Sequence, residues 1–299
     1  MFRSLLFVPG NSQKFIEKSK TLDADIICLD LEDSVPPNQK PLAREMIGRA
    51  LSERKSYHSS SALYVRINSV DSGFAVEDLS ASVQQGIEGI IVPKVNTEDT
   101  IIDTARLVSR LEEERGIIKG HIKLIASIET AQGVLNAYDI AKADGRINAL
   151  LFGVFDFLYD MHLDYVENNG TGYAYARAKL PVDARAAGAL AIDAIWQNVD
   201  DTEGLKRDTQ YARRLGYSGK SIIHPSQIDP VHKIFVPTKT EIEWAKKVVQ
   251  SLAPAVENGT ATGAGAISLE GRMIDIVHYK LAKSILDLLN PNEQNASQR

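Results

Sequence analysis

Residues 26–35 read IICLDLEDSV, an almost purely apolar run that ends abruptly in Asp30, Glu32 and Asp33. The front half shows no alternation of apolar and polar positions, which predicts a strand covered on both faces, as parallel sheets require. Charge is costly to bury. Three carboxylates at the end of such a strand therefore either cap the next element or face a site that uses negative charge.

Similar runs recur along the chain: LLFV (5–8), DIICLDL (25–31), ALYVRI (62–67), GIIVP (89–93), IKLIASI (122–128), NALLFG (148–153), ALAIDAI (189–195) and KSIIH (220–224). The stretches between them have helical spacing, for example Ile101, Ala105, Val108 and Leu111. Strands alternating with helices in this number predict a closed (β/α)8 TIM barrel over residues 1–236, near the usual barrel size of about 250 residues. The rival is a doubly wound open sheet, which normally carries a Gly-rich turn after its first strand. VPGNSQK holds one glycine.

Beyond the barrel, residues 237–299 read as a C-terminal lid appendage. Thr240 and Glu243 predict a capping box for a helix to about Leu252, with Pro254 past its end. NGTATGAGAIS reads as a mobile loop. A helix is expected over GRMIDIVHYKLAKSILDLL, with Ile274, Val277, Leu281 and Ile285 on one face, and PNEQNASQR as a frayed tail.

The composition is that of a globular protein, with 44% hydrophobic and 24% charged residues among 299. A net charge of −5 argues against nucleic-acid or anionic-membrane partners, which want a basic face. The apolar stretch of MFRSLLFVPG is too short for a secretory signal, and no run approaches membrane-spanning length. Cys28, the single cysteine, reads as a small buried hydrophobe. A cytoplasmic location is the expectation.

In TIM barrels catalytic groups stand at the C-terminal ends of strands. Here those ends carry Asp30, Glu32 and Asp33, then Arg66 and Asn68, Lys94, Glu129 and Thr130, Gly153 and Asp156, Asp193, and His224. Each has a plainer alternative: Asp33 and Asp156 as helix caps, Arg66 in an ion pair with Glu32, His224 ordering a turn before Pro225. Lys94 is open to a Schiff-base role with a keto acid, but a carboxylate-rich rim favours a metal. Magnesium takes one or two carboxylates, several waters and substrate oxygens. Glu129 and Asp156, on neighbouring strand ends, supply such a pair, and Mn2+ would fit equally. Asp30 and Glu32 share one face of their strand and are placed to hold Arg66.

RSLLFVPGN, DLEDSV, VRIN, VPK, SIET, FGVFD, ARAAGALAIDAIW, GYSGKSIIHPSQI and SLEGRMID, in this order from Arg3 to about Ala282, resemble the citrate lyase beta subunit and its stand-alone relatives. These relatives include the malyl-CoA and citramalyl-CoA lyases of the wider HpcH/HpaI aldolase group. The resemblance implies a (β/α)8 barrel, Mg2+ dependence, a carbon–carbon lyase acting on a CoA thioester and a 2-oxo acid, and a homotrimer. Carried over residue by residue, it implies Glu129 and Asp156 as metal ligands, Arg66 on the keto acid and Glu32 beside the metal. Asp275 in GRMID matches an acid/base carboxylate that reaches a neighbouring subunit's site. The chain departs from the pattern at Val277, where relatives often have proline, and at FGVFD, which replaces a GAED-like turn. Rival functions are an aldolase for free 4-hydroxy-2-oxo acids, a subunit working only on an acyl-carrier protein with partner chains, and a structural barrel.

Overall fold

The computed structural model describes residues 2–164, 170–257 and 266–289. Eight strands form in the expected order: Ser4–Pro9 (β1), Ile26–Asp30 (β2), Ala62–Arg66 (β3), Gly89–Val92 (β4), Lys123–Ile128 (β5), Ile147–Phe152 (β6), Leu190–Asp193 (β7) and Gly219–Ile222 (β8). All pair in parallel, and β1 bonds to both β2 and β8, so the sheet closes on itself. Closure excludes the doubly wound alternative.

Helices connect the strands. Gln13–Ser19 (α1), Lys40–Ser52 (α2), Ala75–Ser82 (α3) and Glu98–Glu114 (α4) follow β1 to β4. Ala131–Leu135 (α5) and Ala137–Lys142 (α6) follow β5, and Val154–Asp160 (α7) and Ala174–Ala187 (α8) follow β6. Thr202–Leu215 (α9) and Ile228–Phe235 (α10) complete the ring. α4 shows why the spacing works: Ile101, Ala105, Val108 and Leu111 are buried on one face, and Glu98 and Asp99 favour its N-terminal dipole.

One set of alternating side chains fills the barrel: Leu5, Ile26, Cys28, Tyr64, Ile91, Ile125, Ala149, Leu151 and Ile192. The other set faces the helices. Each buried Leu or Ile contributes roughly 1.5–3 kcal/mol relative to exposure. Tyr64 fits only because Gly89 has no side chain, since a Cβ there would lie 2.1 Å from the ring. Cys28 is a free, fully buried thiol whose pKa burial pushes well up, which leaves it inert.

The chain divides into two units, Met1–Phe235 and Val236–Arg299. In the second, Lys239–Glu257 (α11) packs through Ala245, Val248 and Leu252 around Ile274 and Ala282. Ile267–Leu269 (β9) and Arg272–Ile274 (β10) form an antiparallel hairpin before Ile276–Asp287 (α12). Three expectations change here. α11 runs on past Leu252 and through Pro254, and its start is held by Thr238 and Glu241, which exchange hydrogen bonds of 2.7 and 3.2 Å. Residues 272–274 are strand, because Glu270 and Gly271, both at positive φ, make a two-residue hairpin turn. The face built on Ile274, Val277, Leu281 and Ile285 therefore does not exist: Val277 is 66% and Leu281 53% exposed, and Ala282 is buried instead. The stretch 258–265 of the expected loop and the tail from 290 onward lie outside the described residues. Among the described residues no helix is long and apolar enough to cross a membrane.

Candidate active site at the barrel rim

Alternation along β2 puts Asp30 on the same side as Cys28 and Ile26, and along β3 it puts Arg66 with Tyr64, so both emerge at the rim above the filled interior. Arg66 Nε donates to Asp30 Oδ1 at 2.6 Å and Nη2 to Oδ2 at 2.7 Å. This two-armed, charge-assisted pairing fixes the plane of the guanidinium, which also lies 4.7 Å from the centre of the Phe7 ring. Asp30 is fully engaged: it also accepts from the Ser34 hydroxyl and from the Glu32 and Ser34 backbone N–H groups. Burial opposes ionisation of Asp30, but Arg66, the Ser34 hydroxyl and the Glu32 N–H together outweigh it and hold the carboxyl below its usual range. Arg66 in turn stays charged, because Asp30, Glu32 and Asp33 outweigh the effect of its own burial.

Glu32, also buried, links the two cations of the rim. Its Oε1 accepts from Lys94 Nζ at 2.8 Å, and its Oε2 lies 3.0 Å from Arg66 Nη1, an ionic contact without hydrogen-bond alignment. Burial pushes the Glu32 carboxyl up, and the two cations pull against it. Lys94 reaches the rim by a break in the pattern. Ile91 points into the barrel, so alternation would carry Lys94 outward, but Lys94 takes a left-handed backbone with φ 53°. Its ammonium lies 3.6 Å from Asp33 and 3.4 Å from Asp156 as well as on Glu32. Burial opposes its charge, and these carboxylates outweigh that and raise its pKa.

Glu129 shares the inward side of β5 with Ile125 and Ser127 and is 3% exposed. Its Oε2 has no hydrogen-bond partner among the described residues. Burial first, then the charges of Glu32 and Asp156, push its pKa up to about 8. Gly153 makes room for it: a Cβ at that position would meet Glu129 Cγ at 2.3 Å. Asp156 stands in the first turn of α7, half-exposed, while Gly153 holds the N-cap position before Val154. Neither Asp33 nor Asp156 is a helix cap. A cleft of about 390 Å3 lies above, lined by Phe7, Arg66, Ser127, Glu129, Gly153 and Asp156 among others.

The residues fit a divalent cation. Among the described residues the buried Glu129 carboxylate has an orphaned oxygen and no ion pair, is flanked by further negative charge, and feels Arg66 only as a weaker opposing charge. Among the described residues no cluster of three or more His, Cys, Asp or Glu forms a full protein cage. That suits an ion that takes two carboxylates and fills its remaining positions with water and substrate oxygens.

Other strand-end groups go elsewhere. Asp193 follows the inward Ile192, so it turns outward into a buried network with Arg177 (2.7 and 2.9 Å) and Lys220 (2.6 Å). Asn68 is buried between Lys40 and Asp78. His224 caps the short turn at Pro225–Gln227, accepting from the Ser226 N–H. Thr130 caps α5. Asp275 stands in the second unit as the N-cap of α12, accepting from the N–H groups of Val277 and His278. The His278 imidazole, 2.7 Å away, holds its carboxyl below the usual range, helped by the backbone. Sequence reasoning did not single out Phe7, Ser127 or Ser221, which line the cleft. Ser127 was recoverable from its two-residue spacing to Glu129.

Comparison with known proteins gives the chain a family. The profile of the HpcH/HpaI aldolase/citrate lyase family matches residues 3–225, and that of the C-C bond lyases of the TIM-barrel fold matches residues 163–288. The chain is 37% identical to the citrate lyase subunit beta of Leuconostoc mesenteroides subsp. cremoris, over 97% of this chain and 94% of that protein. It is 33% identical to the mitochondrial citramalyl-CoA lyase of Rattus norvegicus, over 96% of this chain and 85% of that protein. The crystal structure of the protein CitE from Mycobacterium tuberculosis, in complex with magnesium, acetoacetate and coenzyme A, superimposes with a TM-score of 0.78. That match has 26% identity and covers 96% of this chain and 98% of the other. The chain belongs to the HpcH/HpaI aldolase/citrate lyase family and is an enzyme of the carbon–carbon lyase class.

Proposed function

We propose that the protein is a Mg2+-dependent lyase that cleaves, or forms, a 3-hydroxyacyl-CoA such as malyl-CoA, citramalyl-CoA or citryl-CoA, giving a 2-oxo acid and an acyl-CoA. The observation that carries this is Glu129, buried with an unpartnered oxygen beside Asp156 and close to the fixed guanidinium of Arg66. The names of the relatives and the magnesium, acetoacetate and coenzyme A bound by CitE support it.

Glu129 and Asp156 would hold the cation, with Mn2+ an acceptable substitute. The bound ion supplies Lewis-acid polarisation, favouring loss of the proton from the substrate's 3-hydroxyl. Arg66 is permanently charged and aimed by Asp30, so it stabilises negative charge on the oxygen as it forms. Collapse of that alkoxide breaks the carbon–carbon bond. The oxygen becomes the oxo group of the acid, and the electron pair passes to the thioester enolate. A proton delivered to the enolate carbon completes cleavage, and the same group removes it in the condensing direction. Asp275 takes that role from a neighbouring subunit; the His278 contact that lowers its pKa favours the ionised form, which accepts the proton in condensation, over the acid form that donates it in cleavage. Glu32 keeps Lys94 near the same rim, where its ammonium meets the carboxylate of the acid. Val277 and Leu281, exposed on the α12 surface, suit contact with another copy in a homotrimer.

The test is a panel of malyl-, methylmalyl-, citramalyl- and citryl-CoA with Mg2+, scored for release of oxo acid. Release from at least one, abolished by EDTA and restored by Mg2+, is expected, with Glu129→Ala and Asp156→Ala folded but inactive. Equal turnover in metal-free protein overturns it. The high identity to a citrate lyase beta subunit favours one second reading, a chain that acts on citryl-acyl-carrier protein with partner subunits. Silence on every free thioester, with cleavage once the acylated carrier is added, selects that reading.

A further inference from the structure

Lys94 stands out among the rim residues because its backbone and its side chain are both unusual. A non-glycine residue at φ 53° is uncommon and persists only where its surroundings demand it. Here the left-handed backbone delivers an ammonium into a group of carboxylates, and the three contacts are unequal. Glu32 holds Nζ in a hydrogen bond of 2.8 Å, while Asp156 Oδ1 lies 3.4 Å away and Asp33 Oδ1 3.6 Å. The first is a full charge-assisted bond; the other two are longer than such bonds run. Glu32 is therefore the anchor, and the hold on Asp156 is loose.

The cleft lining carries four carboxylates, Asp30, Asp33, Glu129 and Asp156, against one cation, Arg66. Arg66 is taken up by Asp30 and Glu32. Lys94 is the remaining positive group in contact with Asp156 among the described residues. We infer that Lys94 is a positioning residue that competes with the divalent cation for Asp156. This rests on the proposal that Glu129 and Asp156 hold that cation. Its ammonium partly neutralises Asp156 when no metal is bound. It stays on its Glu32 anchor and gives up Asp156 when the metal enters, and then faces a dication that repels it. An acid anion arriving between the two relieves that repulsion. Lys94 thereby lowers intrinsic metal affinity and ties tight metal binding to the presence of the acid, and the coupling runs equally in both directions.

Titration of Mn2+ into the full-length protein without any oxo acid, read by the spin-resonance signal of free Mn2+, tests this. Lys94→Met should bind Mn2+ about tenfold more tightly, because removing a unit charge a few ångströms from a dication is worth at least that factor even in a strongly screened site. Lys94→Arg, which keeps the charge, should stay within about twofold of the wild type on the same grounds. Pyruvate at saturating Mn2+ should bind Lys94→Met more weakly than wild type. A folded Lys94→Met with unchanged or weaker Mn2+ binding overturns the inference. A second measurement needs no variant: Mg2+ should speed acetylation of Lys94 by acetic anhydride, mapped by mass spectrometry, as the ammonium leaves Asp156. An unchanged or slower rate also overturns it. If the wild type binds no Mn2+ at all, the metal proposal falls and takes the inference with it. If the wild type binds and Lys94→Met does not differ, only the inference falls.

Discussion

Gly153 and Glu129 meet so closely that one added methyl group displaces a carboxylate: a Cβ on Gly153 would lie 2.3 Å from Glu129 Cγ and 2.8 Å from its Cδ. The backbone of Gly153 has φ −98°, which any residue adopts. Gly153→Ala therefore acts through the position of Glu129 and not through backbone strain. Overpacking of this kind should cost about 1–3 kcal/mol of stability, and Mn2+ affinity should fall about 10–100-fold, as when the support of a metal ligand is lost. Calorimetric titration and a thermal melt check the two effects. Unchanged Mn2+ affinity in the folded variant would count against Glu129 as a ligand.

The surroundings of Lys94 decide between an electrostatic and a covalent role. A Schiff base needs a neutral amine, which enzymes obtain by lowering the lysine pKa. Glu32, Asp156 and Asp33 do the opposite here. Borohydride added with pyruvate or glyoxylate should leave no adduct on the protein by intact-mass measurement. A mass increase mapped to Lys94 would replace the metal-assisted route with a covalent one.

A buried histidine far along the chain from these residues gives the fold a pH dependence of its own. Ser4 Oγ accepts the Asp25 N–H at 3.1 Å and lies 2.7 Å from His232 Nε2, so its proton is free to go to a neutral imidazole. Burial lowers the His232 pKa from 6.5, against the pull of Asp25. The unfolded chain therefore binds the proton first as pH drops. Stability from this group is complete above about pH 6.5 and is lost as pH falls through the lower folded value. Urea unfolding at pH 7.5 and 5.5 should show that loss in the wild type. His232→Gln, which cannot titrate, should lack this part of it; an identical loss in both proteins would reject the assignment.

The barrel was legible because β1 to β8 are each a short apolar run bounded by polar residues, and closure follows from their number. The orientation of the rim residues was not. A strand buried on both faces has no alternation to read, so Asp193 and Asp30, both at strand ends, look alike in sequence. Only the interior positions of Ile192 and Cys28 separate them, sending Asp193 outward and Asp30 to the rim. Lys94 escapes even that rule through its left-handed backbone. In the second unit the helical spacing of Ile274 and Val277 ran across a hairpin whose turn, Glu270-Gly271, lacks the commoner Asn-Gly or Asp-Gly signature.

Asp275 and Glu129 lie in different units of the chain, and the proposal assigns them to one active site through two subunits. Asp275→Ala should then keep Mn2+ and oxo-acid binding but lose the proton donor. Glu129→Ala should keep the donor and lose the metal. Each homo-oligomer should be nearly inactive. Co-refolding or slow exchange of the two variants creates some sites that draw Glu129 from an Asp275→Ala chain and Asp275 from a Glu129→Ala chain. Those sites hold both groups, so part of the activity should return although no wild-type chain is present. If Asp275 served its own barrel, every site would carry one lesion and nothing would return. Native mass spectrometry reports whether mixed oligomers formed. Mixed oligomers without recovered activity would reject the shared site and leave Asp275 either working within its own chain or serving only as the N-cap that holds α12 and its exposed Val277 in place.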